Sequence, residues 1–302
     1  MVKENDKCIV ILLGTAQDAG IPQVGCSCAN CSRAIMDNRY HRCAASLGIL
    51  NPDNGNGYLI DATPDFKEQM ILLKEIKHKY ISTSTRTPIR RGSYDLGLGG
   101  IFLTHAHMGH YIGLLQLGKE GCSAESMPIY LTRSMKKFLA GNQPFKDLIK
   151  SHHVIPQTIT PGKACLTEKN LAITPIMVQH RHEYSDCVGF LLAGPNKRLL
   201  YVPDMDVLTR TVLDLIPKVD IAILDGTFYS GEELPPHRNL KDIPHPTILK
   251  SMRELSPHSK RTRIHFTHFN HTNPVLDPDS DPAKYVKSLG FGLVPERWTF
   301  RL

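Results

Sequence analysis

The chain has 302 residues, of which 41% are hydrophobic and 22% charged, with a formal net charge of +7. This is ordinary globular composition, and it excludes a collagen-like, disordered or disulfide-scaffold protein. No stretch approaches the roughly 20 apolar residues needed to span a membrane, and the charged first residues followed by a short apolar run lack the pattern of a secretory signal.

In chain order, residues 8–13 (Cys-Ile-Val-Ile-Leu-Leu) read as a buried strand leading into a glycine-containing loop. Residues 44–50 and 58–60 read as two strands around the turn Asn-Pro-Asp-Asn-Gly-Asn-Gly, and 65–77 as a helix with Asp65 near its start. Strands are expected at 100–103 and 128–131, and a helix at 134–140. The second half repeats the style, with strands at 172–178, 188–193, 198–202, 221–224 and 263–266. Its helices are expected at 208–216, 247–255 and 282–289. Clustered strands followed by alternating strand and helix suit an α/β fold of two packed sheets with helices outside, here one domain over residues 1–302.

The most informative stretch is Thr104-His-Ala-His-Met-Gly-His110. It follows the apolar run Gly-Ile-Phe-Leu, so His105 and His107 alternate onto one face of an extended segment. His110 comes round from the first turn of a helix starting near Met108. Three imidazoles so placed suit a borderline-soft divalent ion, most often zinc. A second signal is Cys26-Ser-Cys28-Ala-Asn-Cys31, inside a loop at 25–32. Three thiols at this spacing in a reducing compartment favour a structural zinc whose fourth ligand comes from elsewhere. Cys8, Cys43, Cys122, Cys165 and Cys187 stand apart and read as packing residues or inert thiols. The most basic stretch, with Lys74, Lys77, Lys79, Arg86, Arg90 and Arg91, has Tyr80 as its one aromatic. Nucleic-acid binding is therefore disfavoured.

Together these motifs resemble the metallo-β-lactamase fold superfamily, a four-layer αββα sandwich. Its pattern is H-x-H-x-D-H, then a later His, an Asp and a C-terminal His, each at a strand end. Gly109 stands where that pattern has Asp, which removes one expected ligand of the second metal. Leu13-Gly-Thr-Ala-Gln-Asp-Ala-Gly-Ile-Pro-Gln, the cysteine triplet, Asp225-Gly-Thr-Phe and Thr272-Asn-Pro are similar to the pyrroloquinoline-quinone biosynthesis B proteins. The cysteine triplet also resembles that of the phosphonate-pathway cyclic phosphodiesterase. The resemblance covers residues 13–274. The histidine triplet is complete here, whereas the quinone-biosynthesis proteins commonly degrade it, and this favours a working hydrolase.

The resemblance implies a ligand set. In Gln179-His180-Arg181-His182, one histidine is a ligand: His180 is preferred for its place at the strand end, with His182 the runner-up. Asp204 matches the metal-bridging Asp, whereas Asp206 reads as the N-cap of the helix at 208–216. His268 matches the C-terminal ligand of the catalytic metal. His271 is implied as the fourth ligand of the cysteine zinc, and His265 lies within the strand, on its other face or in the core. Asp61 matches an early strand-end Asp that orients a ligand histidine. By analogy with the related tRNase Z enzymes, Asp225 orients His245, which protonates the leaving group.

The implied cofactors are zinc ions, one structural and one or two catalytic, with Mn2+ or Fe2+ as alternatives at the catalytic site. His105, His107 and His180 hold one ion, His110 and His268 the other, and Asp204 bridges. A zinc-bound hydroxide then attacks an ester, lactone or phosphodiester, with thioester and amide as further options. Gly109 leaves the second ion short of a ligand, so a single-metal enzyme is an alternative. Two rival readings are an iron-dependent oxidative enzyme of quinone-cofactor biosynthesis and a non-catalytic zinc-binding protein. The expected partner is a small-molecule substrate, anionic by the positive balance of the chain. No membrane partner is expected, a homodimer is allowed, and the expected location is the cytoplasm.

Overall fold

The computed structural model describes residues 7–81, 96–234, 240 and 243–302. Arg86, Arg90 and Arg91 of the basic stretch lie outside the described residues. The strands are β1 (Ile9–Gly14), β2 (Ser46–Leu50), β3 (Gly57–Ile60), β4 (Leu98–Phe102), β5 (Met127–Leu131), β6 (Val154–Thr158), β7 (Leu166–Glu168), β8 (Leu171–Val178), β9 (Cys187–Ala193), β10 (Arg198–Val202), β11 (Ile221–Asp225), β12 (Arg263–Thr267), β13 (Gly292–Leu293) and β14 (Thr299–Arg301). The helices are α1 (Ala29–Met36), α2 (Phe66–Tyr80), α3 (Met108–Tyr111), α4 (Arg133–Gly141), α5 (Phe145–Lys150), α6 (Arg210–Leu215), α7 (Ile248–Leu255) and α8 (Asp281–Ser288).

The strands form two seven-stranded mixed sheets, in the orders β14-β1-β2-β3-β4-β5-β6 and β13-β12-β11-β10-β9-β8-β7. Side chains alternate faces along a strand, and here both faces are covered, so the central strands read as unbroken apolar runs. In β1, Val10 and Leu12 enter the layer between the sheets, while Ile9, Ile11 and Leu13 face the helices outside. In β10, Leu199 and Tyr201 face the other sheet, while Leu200 and Val202 meet the outer helices. β11 divides the same way, with Ile221 and Ile223 inward and Ala222 and Leu224 outward. Three apolar layers result, and with them the four-layer αββα sandwich.

The pairing directions bring the functional residues to one edge. β3 and β4 pair parallel, and β1 runs the same way because it is antiparallel to β2, itself antiparallel to β3. In the second sheet β10, β11 and β12 are parallel, and β8 is aligned with them through β9. The C-terminal ends of β1, β3, β4, β8, β10, β11 and β12 therefore open onto one rim of the sandwich.

Local expectations that change concern caps and short elements. The helix expected at 208–216 begins at Arg210, with the Thr209 side chain accepting from the Val212 amide as its N-cap. Asp206 is not the cap. Asp65 stands at the N-cap of α2, but its Oδ2 accepts from the Ala44 amide at 2.7 Å. The cysteine loop at 25–32 is half helix: Cys28 is the N-cap residue of α1 and Cys31 lies inside it.

Candidate metal centre

Each strand end delivers one part of the rim site. His105 and His107 follow β4, with His107 at the N-cap position of α3, in which His110 sits. His180 follows β8, Asp204 follows β10, Asp225 ends β11 and His268 follows β12. His105, His110, His180, Asp204, Asp225, His245 and His268 are all buried. Asp61 and His268 adopt left-handed backbone at φ 67° and 61°. Such conformations are rare for non-glycine residues and cluster where side-chain placement matters.

His105, His107, His180 and Asp204 each offer one ligand atom, all within 4.8 Å of one another. His107 Nδ1 lies 2.8 Å from His105 Nε2 and 3.1 Å from His180 Nε2. Asp204 Oδ2 lies 3.4 Å from His105 Nε2 and 3.2 Å from His180 Nε2. Zinc–nitrogen bonds of about 2.0–2.1 Å at tetrahedral angles place neighbouring donors about 3.3 Å apart, so the set fits one small divalent ion. His182 is exposed and outside the cluster.

A second group lies beside the first. His110 Nε2 and His268 Nε2 are each 3.8 Å from Asp204 Oδ2. Asp18, from the loop after β1, joins the two histidines in a set within 4.8 Å. Asp204 faces both groups, the position of a shared carboxylate. Five buried atoms of this rim have no hydrogen-bond partner among the described residues: Asp18 Oδ1, Asp204 Oδ1, and Nε2 of His110, His245 and His268. Buried polar atoms seldom go unpaired, and a cluster of them at one place calls for an ion or solvent.

The other ring nitrogens are held. His105 Nδ1 contacts Thr104 Oγ1 at 3.0 Å, and His110 Nδ1 meets Asp61 Oδ2 at 2.8 Å. His180 Nδ1 meets Asp206 Oδ1 at 2.9 Å, and His268 Nδ1 meets Thr227 Oγ1 at 2.9 Å. His107 Nε2 meets Glu183 Oε2 at 3.3 Å. One nitrogen anchored to a carboxylate or hydroxyl fixes the ring and leaves the other aimed inward, the usual support of a metal-ligating histidine. Asp206 thus supports His180 rather than a helix. Its Oδ1 accepts from the Arg181 amide as well, at 3.4 Å.

Charge in the cluster is divided by its neighbours. Burial, with His110 adding to it, holds His105 well below the usual imidazole range. Burial likewise lowers His107 and His268. At His110 burial is overridden by Asp61, which pushes the ring up to about 9. A proton and a cation compete there for the same Nε2. Asp204 is kept ionised, because His180 and His268 outweigh the burial that would raise it.

Asp225 and His245 form a dyad. His245 Nδ1 lies 2.8 Å from Asp225 Oδ2, which also accepts from the Met205 amide at 3.0 Å, while Oδ1 takes the Thr227 amide at 2.8 Å. Burial disfavours charge on His245, yet Asp225, with Asp204 adding to it, pushes it up to about 9. Asp225 also falls within ligand distance of Asp204 and His268. His265 takes no part, its ring lying against Trp298 with centroids 4.7 Å apart.

The cysteines form a separate centre. His271 Nδ1 is 3.2, 3.5 and 3.7 Å from the sulfurs of Cys26, Cys28 and Cys31. A tetrahedral ion with zinc–sulfur bonds of about 2.3 Å requires roughly 3.5 Å between sulfur and nitrogen donors. Asn30 Nδ2 braces the arrangement, donating to the carbonyls of His271 and Asn273 at 3.0 and 3.1 Å. The turn at His268 sends that residue to the rim and His271 to the cysteines, so one segment serves both centres.

Sequence reading missed Asp18 and the supporting roles of Asp206, Thr104, Glu183 and Thr227. A polar loop after an apolar strand is a weak signal for Asp18, because its partners are distant in the chain.

A profile described as Beta-lactamase superfamily domain matches residues 56–269. The chain is 28% identical over 311 residues to Coenzyme PQQ synthesis protein B of Nitrosococcus oceani, covering 93% of this chain and 96% of that protein. The crystal structure of Zn(2+)-bound PqqB from Methylobacterium extorquens shares the fold, with a TM-score of 0.78, 23% identity and coverage of 97% of this chain and 100% of that one. A diphosphatase from the PhnP family shares it too, with a TM-score of 0.69, 21% identity and coverage of 98% and 97%. Among the described residues no helix is long and apolar enough to cross a membrane.

Proposed function

The chain belongs to the β-lactamase superfamily, and from that premise we propose that it is a metal-dependent hydrolase of an ester, lactone or phosphodiester, with zinc in its catalytic and cysteine centres. The observation that carries this reading is the convergence, between two histidine groups that share Asp204, of five buried donor and acceptor atoms with no hydrogen-bond partner among the described residues. An ion held there supplies Lewis acidity and lowers the pKa of water to about 7.

The protein's own groups do the rest. His105, His107, His180 and Asp204 bind at the first position, and His110 and His268 at the second. Thr104, Asp61, Asp206 and Thr227 fix the rings, so the donor geometry is set before substrate arrives. Asp225 accepts the Nδ1 proton of His245, which leaves Nε2 as the atom from which the ring can pass a second proton to a departing oxygen. Arg181 places a guanidinium nitrogen 3.4 Å from His107 Nδ1, and its Nε, 4.0 Å from Glu183 Oε1, is buried without a hydrogen-bond partner among the described residues. This favours an anionic substrate, since a guanidinium matches carboxylate or phosphate oxygens.

A second reading has one observation in its favour, the similarity along nearly the whole chain to a protein named for coenzyme PQQ synthesis. In it the same ligands hold iron for an oxidative step. The deciding experiment assays purified protein, loaded in turn with Zn2+, Mn2+ and Fe2+, on bis-aryl phosphodiesters, aryl esters and lactones, while dissolved oxygen is monitored. Metal-dependent hydrolysis without oxygen uptake supports the proposal. Oxygen uptake by the iron form with no hydrolysis by any form overturns it.

A further inference from the structure

Gly109 marks this chain's departure from H-x-H-x-D-H, and the space beside it is filled by a carboxylate from another part of the fold. A Cβ at Gly109 would lie 2.3 Å from Asp18 Oδ1, 2.4 Å from Asp18 Cα and 2.9 Å from Asp18 Cβ. These separations are too short for atoms that are not bonded, so residue 109 has no room for a side chain while Asp18 keeps its place. Gly109→Asp, the obvious repair of the pattern, would collide with the backbone of residue 18.

Asp18 is aimed at the second group of ligands. Its Oδ1 lies 3.7 Å from His110 Nε2, and both atoms are buried without a hydrogen-bond partner among the described residues, as is His268 Nε2. The loop that carries it is tied to the segment that carries His268. The Gln17 amide donates to the Phe269 carbonyl at 2.9 Å, and the Phe269 amide to the Thr15 carbonyl at 2.8 Å. Ala16 and Phe269 form an isolated β-bridge. The loop closes with the Gly20 amide donating to Gln17 at 2.9 Å.

We propose that Asp18 is the terminal carboxylate ligand of the second metal position, filling from the β1 loop the place that the family pattern gives to residue 109. With His110, His268 and Asp204 it makes a set of two imidazoles and two carboxylates. Asp18 adds a negative charge that the second ion does not share with the first, and the mixed imidazole and carboxylate donors suit Zn2+, Mn2+ or Fe2+. The second position is then fully furnished and the rim is a two-metal site. Gly109 is the counterpart of Asp18, the small residue that admits it.

The inference rests on the metal-hydrolase reading for the presence of ions, but its test counts metal and not turnover. Wild type, Asp18→Asn, Asp18→Ala and Gly109→Ala are titrated with Co2+ and followed by visible absorption, in which thiolate-bound cobalt is distinct. Zinc content after loading and desalting is measured by mass spectrometry. Asp18→Asn keeps the shape of the side chain, and circular dichroism establishes that each variant is folded. The expected result is two ions at the histidine rim of wild type. In the Asp18 variants the first ion and the cysteine-bound ion remain, and the second binds more than about 100-fold more weakly, exceeding the loss typical of a group that only supports a ligand. Gly109→Ala, which displaces Asp18, should weaken the same ion. Second-ion affinity unchanged in Asp18→Asn and Asp18→Ala overturns the proposal. A wild-type rim that saturates with one ion overturns it too, and leaves a one-metal hydrolase standing. A rim that binds none removes both.

Discussion

The cysteine centre and the histidine rim pose the same coordination problem and solve it differently. The cysteine centre draws three donors from one short run and a fourth from His271, and its four donors surround one point at tetrahedral spacing. Four donors complete a tetrahedral shell, so an ion held there has no open position and its effect is to tie the loop before α1 to the segment after β12. The rim draws its donors from the ends of β1, β4, β8, β10 and β12 in two sheets and leaves five buried atoms without a hydrogen-bond partner among the described residues. Donors spread over a rigid frame can be placed for a reaction, and a set larger than one ion needs can hold two ions and a substrate. A closed set stabilises, whereas an open one can work on a ligand.

That contrast can be broken by substitutions on either side. The largest effect is expected for His105→Ala: kcat/KM should fall by about 10⁴-fold or more, because both the metal and its Lewis acidity are lost, while Tm moves by only a few degrees. A comparable fall in Tm would mean that the rim also holds the fold. His245→Asn should slow substrates with alkoxide leaving groups by about 10²–10³-fold and spare those with nitrophenolate, the expected range for losing a general acid. Equal losses on both would make His245 a structural residue. Asp61→Asn should weaken metal at the His110 position by about 10–100-fold with folding intact, as a competition titration would measure.

On the cysteine side the expected signs reverse. Cys28→Ser or His271→Ala should remove one equivalent of zinc and lower Tm by roughly 5 °C, an effect of about 2–3 kcal/mol, with turnover within a few-fold of wild type. If His271→Ala instead abolished activity and left the thiol-bound zinc in place, the roles of His268 and His271 would be exchanged. The smallest effect serves as a control. Burial pushes Glu296, which accepts from Thr15 Oγ1, up to about 7. Its folded form binds the proton more tightly than the unfolded chain does, so stability falls as pH rises from about 4.5 to 7. Glu296→Gln should flatten that part of the Tm profile without touching either centre.

Much of this was legible in the sequence because its physical causes are local. Strands buried on both faces show as unbroken apolar runs, and histidines at their ends mark the rim. The cysteine triplet carries its own geometry, although α1 starting inside it was masked by the thiols. Edge elements escaped because they are short and partly polar, as at Val154–Thr158 and Thr299–Arg301. Asp206 was misread because an aspartate ahead of a helix fits a cap, whereas Thr209 stands directly before Arg210 and takes that role. Asp18 was invisible for a different reason. Its meaning depends on the space above Gly109, and only the packing of the β1 loop against the His268 segment reveals that the two positions exclude each other.

The most direct test of the division between a holding centre and a working centre is staged chelation of the zinc-loaded protein. Metal content, Tm and hydrolysis of a bis-aryl phosphodiester are followed on the same sample. The account predicts that a weak chelator first removes the rim metal and all turnover while the thiol-bound ion and Tm persist, and that a stronger one then lowers Tm. Turnover that survives loss of the rim metal, or that disappears only with the thiol-bound ion, would contradict it.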